Sequence, residues 1–451
     1  MIHAAQDRAN DVDERGAPVT EEAQPIRVAI ACQGGGSHTA FTAGVLGRLL
    51  EPDVTDKYKI VGLSGTSGGA ICALLSWTAL VDSQPQKAVE LLEGFWADNA
   101  TSSPAEWIMN WWTVWAGYAA NYVATPQISP YMNPASDLGL KQMRDMLETW
   151  VDFDRLNHPD GDDPESERPM LVLGAVDVLS GVFKAFNSRK GEITAEAVMA
   201  SSALPNLFRS VPVGDSLYWD GLFSQNPPIR DLLPAKPDEI WVIQINAQSR
   251  STEPTTVNEI ADRRNELAGN LSLYQELHFI EKIGQMLEAG VLRSAQYRPI
   301  AVRIIEKSRS EKSRRLGTVS KMNRDPAFLR GLIDDGAATA DDFVTALDFE
   351  RAWRSKDADG VFKFFADDCK LISTDPFSIA SLHGDKDGLH GFITEQLARE
   401  IEVDMTRRQF AGDEVRWRVR FSGGDAGECA DGQAGARFED GKIVRFTLGA
   451  G

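Results

Sequence analysis

The chain has 451 residues, 43% hydrophobic and 25% charged, the profile of a soluble globular protein with room for one to three domains, two being expected. Lys plus Arg total 47 against 66 Asp plus Glu, and the resulting net charge of −19 argues against a general nucleic-acid binder, because neutralising phosphates takes clustered cations. The four cysteines (Cys32, Cys72, Cys369 and Cys429) form no CxxC pair and no ligand-like cluster, so they indicate neither a zinc site nor a disulfide framework and favour a reducing, cytoplasmic setting.

In chain order, residues 1–25 are polar and acidic, with no basic stretch leading into an apolar one; they read as a disordered tail, not a secretory signal. No run of about 18 uninterrupted apolar residues follows, so no membrane span is expected. Residues 26–32 (IRVAIAC) read as a buried strand, followed by Gly34-Gly35-Gly36 and a helical AFTAGVLGRLL. Residues 59–64 read as a second strand, ending in Gly65-Thr66-Ser67-Gly68-Gly69 and a helical ICALLSWTAL. This strand, glycine turn and helix rhythm, given twice, predicts parallel α/β architecture.

Further strands are predicted at 171–178 and 239–246, an exposed acidic loop at 160–168 and long helices over 262–298. Residues 307–324 form the one basic segment, carrying Lys307, Arg309, Lys312, Arg314, Arg315, Lys321 and Arg324. The small, polar DDGAATADD predicts a domain boundary near 340. After it come a helical stretch at 343–367, a strand-like KLIST, a helix at 386–399 and alternating runs at 402–409, 414–421 and 435–448, together a compact α+β domain.

Three motifs carry chemistry. In Gly65-x-Ser67-x-Gly69 a serine sits between strand and helix with small neighbours, as a nucleophile on a tight turn requires, and the following helix aims its first amides and dipole at the reacting centre. Gly34-Gly35-Gly36 lets main-chain N–H groups approach an oxyanion; a dinucleotide loop is the weaker reading because Thr39 stands where its last glycine belongs. Asp220-Gly221 ends an apolar stretch, where the Asp serves either a neighbouring serine or a plain hairpin turn.

In this order, and with ASSALPNLFRSVPV at 200–213 and with Asn226 and Pro228, the motifs resemble the patatin-like phospholipase family over residues 26–340. The resemblance implies a three-layer α/β/α sheet domain hydrolysing lipid acyl esters without metal or cofactor. Ser67 would be the nucleophile and Asp220 its base, so no histidine is needed. The amides of Gly34, Gly35 and Gly36 would hold the oxyanion, with His38 and Gly68 beside the substrate, and Gly65, Gly69, Gly221 and Asn226 would shape the motifs. Two departures stand out: His38 and Thr39 replace the family's basic residue and last glycine, so anion stabilisation would be weaker and depend on pH, and Leu222 replaces a small residue and would either narrow the pocket or shift the loop. A thioesterase, a polyester hydrolase, or a non-catalytic lipid-binding or regulatory protein on the same fold are the competing readings.

Residues 95–131 are rich in Trp and Tyr, which suits either a lid or acyl-binding cap over Ser67 or an aromatic core. The basic 307–324 segment would either touch anionic headgroups, giving peripheral membrane contact, or be a solvated loop. Residues 344–451 resemble the smaller, cone-shaped α+β NTF2-like (SnoaL-type) fold, through ALDFERAWRSKDADGVFKFFADDCKLIS and ARFEDGKIVRF. That implies a module binding a small apolar ligand or mediating homodimerisation, with Asp348, Glu350, His383 and His390 as surface polar residues.

Overall fold

The computed structural model describes residues 25–119, 129–156, 168–205, 207–250, 252–294, 297–307, 317–374, 379–398, 402–411, 414–422 and 430–450. The acidic tail, most of the 160–168 loop, Tyr122 and residues 308–316 of the basic segment lie outside them. Fourteen strands form one sheet: β1 Ile26–Cys32, β2 Tyr58–Gly65, β3 Met170–Asp177, β4 Phe183–Asn187, β5 Val211–Val213, β6 Ser216–Asp220, β7 Glu239–Gln244, β8 Ala301–Glu306, β9 Phe365–Ser373, β10 Ala380–His383, β11 Glu402–Ala411, β12 Glu414–Ser422, β13 Ala430–Glu439 and β14 Lys442–Ala450. Their order is β10-β9-β14-β13-β12-β11-β8-β7-β1-β2-β3-β6-β5, with β4 paired to β3.

The N-terminal part is doubly wound, and the strand sequences explain why. Alternate residues of each central strand enter two separate cores: Val28, Ile30, Leu63, Trp241 and Ile243 on one face, Ala29, Ala31, Val61, Ile240 and Val242 on the other. A strand buried on both faces must be apolar over its buried length, as Val28–Cys32 is. The first core is covered by α1 (Ala40–Leu49), α2 (Gly68–Val81), α3 (Ala88–Asn99), α5 (Pro134–Trp150) and α6 (Ala195–Ser201), and the second by α7 (Val257–Glu288), while α4 (Pro104–Ala119) lies on the 318–322 segment. Strand β1 pairs in parallel with β2 on one side and β7 on the other, so the order reverses there. Ligand crevices of open α/β sheets open at this point, beyond the carboxyl ends of the strands.

The small residues around 340, where a domain boundary was expected, lie inside α8 (Pro326–Arg354), which runs through them as one helix. They are small because α8 packs backbone to backbone on α1: a side chain on Gly336 would strike the Phe41 carbonyl, and one on Gly44 the Ile333 carbonyl. The alternating run at 435–448 is not one strand but the hairpin β13–β14, turned at Asp440-Gly441 with φ of 50° and 70°.

After α8, β9–β14 and α9 (Lys386–Ala398) form the α+β unit. Phe349, Trp353, Phe365, Trp417 and Phe446 fill its interior, with ring centroids 5.5–6.5 Å apart. Its edge strand β11 pairs in parallel with β8, which makes the two sheets one. At that seam Arg303 bridges Glu239 (2.5 Å) and Glu350 (2.9 Å), all three buried, and the indoles of Trp241 and Trp417 each donate 2.7 Å bonds to the two carboxylates. Glu350, expected at the surface, is therefore a core residue of the junction.

Candidate active site

The sharp turn between β2 and α2 places Ser67 at φ 58°, ψ −133°, a conformation costly for a residue with a side chain. Neighbouring contacts hold it there. The Ser67 N–H donates to the Ser201 carbonyl at 3.0 Å, and the Ser201 hydroxyl donates to the Gly174 carbonyl at 2.7 Å. Thr66 Oγ1 donates to the Gln225 carbonyl at 2.7 Å. Gly65 and Gly69 face each other so closely that a Cβ on Gly65 would strike the Gly69 carbonyl.

Asp220 ends β6 and opens a short 3-10 turn, Gly221–Phe223, so the Asp-Gly pair is not a hairpin turn. Its Oδ1 accepts the Leu222 N–H at 2.8 Å, while Oδ2 is buried with no hydrogen-bond partner among the described residues. Burial raises its pKa to about 7, against the pull of the Leu222 amide, the Ser67 hydroxyl and the Lys321 charge. The hydroxyl is thus near enough to favour the carboxylate, although no completed hydrogen bond joins them. A Gly221 side chain would come within 2.6 Å of the Gly174 carbonyl, which explains that glycine.

The glycine loop passes directly over the serine: a Cβ on Gly34 would lie 2.9 Å from Ser67 Cβ. Its amides are not equivalent. The Gly34 N–H donates to Asn226 Oδ1 at 2.7 Å and is therefore engaged, whereas those of Gly35, Gly36 and Gly68 have no acceptor among the described residues. The loop is anchored by residues whose role sequence reading did not assign. Gln33 Oε1 accepts the N–H groups of Ile245 (2.9 Å) and Asn246 (2.7 Å), and its amide donates to Asn270 Oδ1 (2.9 Å). A polar Gln closing an otherwise apolar strand was the available signal.

Ser67, Asp220, the three loop glycines and Gly68 share one cavity of about 550 Å³, whose lining includes the apolar side chains of Phe95, Trp96, Met143, Met146 and Phe208. A cavity of that size takes a ligand tens of atoms large.

Residues 30–233 match the patatin-like phospholipase family and residues 346–446 the SnoaL-like domain. The chain carries a patatin-like phospholipase domain followed by a SnoaL-like, NTF2-type domain. The first match supports lipid acyl hydrolysis as the general activity. Solved structures similar to the C-terminal part include an NTF2-like protein from Mesorhizobium loti (19% identity, 25% of this chain and 93% of that one, TM-score 0.23). Others are a cystatin-fold protein from Novosphingobium aromaticivorans (21%, 24% and 96%, TM-score 0.21) and an NTF2-like protein from Burkholderia pseudomallei (21%, 24% and 88%, TM-score 0.21). No curated protein matches the chain.

Within the patatin-like domain, His38 does not face the cavity. It is buried, with Nε2 2.8 Å from Ser320 Oγ and Nδ1 3.1 Å from Lys307 Nζ. An ammonium only donates, so Nδ1 accepts and Nε2–H donates to Ser320, whose own hydroxyl donates to the Gly317 carbonyl at 2.8 Å. Burial, then the charges of Lys307 and Lys321, hold the His38 pKa well below its ordinary value. The expected histidine cation at the family's basic position is thus replaced by a neutral, structural imidazole. The charge in the cavity wall belongs instead to Lys321, with Arg264 and Arg324. Lys307 and Lys321 point into the patatin-like domain, not outward as a solvated basic loop would.

Leu222 lines the cavity and packs against Gly269. The aromatic segment splits in two. Phe95 and Trp96 belong to the cavity wall, while Trp107, Trp111, Trp112 and Trp115 of α4 are each 49–55% exposed and line neither cavity nor core. Among the described residues no helix is long and apolar enough to cross a membrane.

Proposed function

We propose that the patatin-like domain is a serine hydrolase of lipid acyl esters using a Ser67–Asp220 dyad. The observation that carries this reading is the pairing of a serine held at φ 58° with a buried carboxylate oxygen that has no completed hydrogen bond among the described residues, both lining one cavity. The orphaned Oδ2 accepts the Ser67 proton as Oγ attacks the ester carbonyl. The tetrahedral oxyanion is held by the free N–H groups of Gly35, Gly36 and Gly68; Gly34, engaged by Asn226, positions the loop instead. The alcohol leaves with the proton from Asp220, and water, activated by the same carboxylate, releases the acid from the acyl-enzyme. The apolar wall takes the acyl chain. The exposed tryptophans of α4 rest on the lipid–water interface, giving peripheral membrane contact.

The test is hydrolysis of a p-nitrophenyl ester series and labelling by a fluorophosphonate. Wild type is expected to turn over esters and label at Ser67. Ser67→Ala and Asp220→Asn are expected to fold normally and lose activity by at least ~1,000-fold, the scale of losing a dyad member. A wild type that neither turns over any ester nor labels would leave a lipid-binding protein on a hydrolase fold.

A further inference from the structure

Lys321 stands on the cavity wall with Ser67 and Asp220, in the segment Thr318–Met322 that packs against the glycine loop. Its carbonyl closes over Gly36, where a Cβ would lie 2.5 Å from it. Its Nζ donates one hydrogen bond, to Asn246 Oδ1 at 2.9 Å, and forms no ion pair with a carboxylate among the described residues. The acidic groups that act on it from farther off are Asp262 and Glu266, committed to Arg250 at 2.8 and 2.9 Å, and Asp220 in the same cavity.

An ammonium drawn out of water without a counter-ion is costly, and proteins keep such groups where an anion completes them. The rest of the wall has the same sign. Arg264 and Arg324 line it too, and Asp220 is the one carboxylate among its described lining residues, in a chain of net charge −19. Behind the wall, burial and the Lys321 charge push the Lys307 pKa down to about 7, and burial holds Lys321 itself below the ordinary lysine value. An arriving anion relieves both lysines.

We propose that Lys321 is the anion-recognition residue of this cavity, receiving a phosphate or carboxylate borne by an amphiphilic ester whose acyl chain lies along Phe95, Trp96 and Met146. This rests on the hydrolase reading only for the position of the ester bond. Two of the three Nζ hydrogens stay free of Asn246 and are available to anionic oxygens. The segment carrying Lys321 thereby takes over the task for which His38, neutral and turned away, is unfit.

Calorimetric titration of the full-length Ser67→Ala protein tests the proposal without turnover. The ligands are dodecyl phosphate, monododecyl succinate and neutral dodecanol, each kept dilute enough to be monomeric. At least one anionic ligand is expected to bind about ten-fold or more tightly than dodecanol, the scale of one charge-assisted hydrogen bond, and the two anionic arms separate phosphate from carboxylate recognition. Adding Lys321→Met is expected to bring that ligand to the dodecanol level, and Lys321→Arg to preserve the preference. Equal binding of all three ligands by Ser67→Ala overturns the proposal, even if the Lys321→Met protein does not fold. So does a Lys321→Met protein that binds all three more weakly by the same factor. An active wild type with no anion preference sinks this proposal alone; a clear preference in a chain that hydrolyses no ester sinks the hydrolase reading alone.

Discussion

Asp220 is fully buried, and water cannot solvate its charge. With a pKa of about 7 it is ionised, and able to take a proton, only in neutral and alkaline solution. If it is the base, kcat/KM for a neutral ester falls about ten-fold per pH unit below that value and levels off above it. Stability moves the other way. The unfolded carboxyl ionises near its ordinary 3.8, so between about pH 4 and pH 7 the folded chain holds a proton the unfolded chain has lost. Unfolding is therefore favoured progressively as pH rises through that window, by up to about 4 kcal/mol at pH 8. Asp220→Asn removes this penalty. Its unfolding free energy relative to wild type, followed by urea titration at pH 4.5 and pH 8, is expected to rise by 1–4 kcal/mol. A difference that does not change with pH would place Asp220 in an ordinary solvated environment. Ser67 and Asp220 were legible in the sequence because each lies in a short motif whose residue types are fixed by local geometry. Lys321 and Asn246 were not. Their relation to Gly34 and Gly36 spans more than 200 residues, and a basic run in an acidic chain reads as a solvated loop until the fold turns it inward.

At the scale of elements, α4 is the helix whose role differs most from its composition. It packs on the 318–322 segment through Gly117, against Val319, and through Asn110, which donates to Asn323 Oδ1 at 2.9 Å. Its tryptophans turn outward and pack on one another, Trp111 and Trp115 with centroids 6.2 Å apart and ring planes nearly parallel. Sequence alone could separate neither lid from core nor either from an exposed face, because a Trp-rich helix satisfies all three patterns. Only burial decides, and burial is a property of the assembled fold. Glu106 is the sole charged residue in its sixteen positions, which leaves the face free to enter a headgroup region. A Trp111→Ser/Trp112→Ser/Trp115→Ser variant is expected to lose at least ten-fold in sedimentation with phospholipid vesicles, while its circular dichroism and Tm stay those of wild type. Retention of vesicle binding would remove α4 from any membrane contact. The same dependence on context hid α8: DDGAATADD has the composition of a linker, and small residues are equally what two helices need to cross at backbone contact.

For the whole molecule, the seam between the domains bears on what the C-terminal domain does. Parallel pairing of β8 with β11 covers what would otherwise be the open edge of the patatin-like sheet. The SnoaL-like domain supplies that cover, tied down by Arg303 between Glu239 and Glu350. A further ion pair, Lys57 with Asp348 at 2.9 Å, and the Arg351 guanidinium, which donates to Tyr58 Oη at 3.1 Å, hold α8 to β2 across the same boundary. Breaking the buried triad at one member strands a charge out of water, so Glu350→Ala is expected to lower the unfolding free energy by about 3–5 kcal/mol. Glu350→Gln, which keeps an acceptor for the Trp417 indole, should lose less. The form of the urea transition carries the argument further. If the shared sheet makes the domains one cooperative unit, Glu350→Ala shifts a single transition, seen alike by far-UV circular dichroism and by loss of ester hydrolysis. If the domains unfold separately, hydrolysis persists through a first transition in which only the C-terminal domain is lost, and the continuous sheet is then a contact between two independent folds.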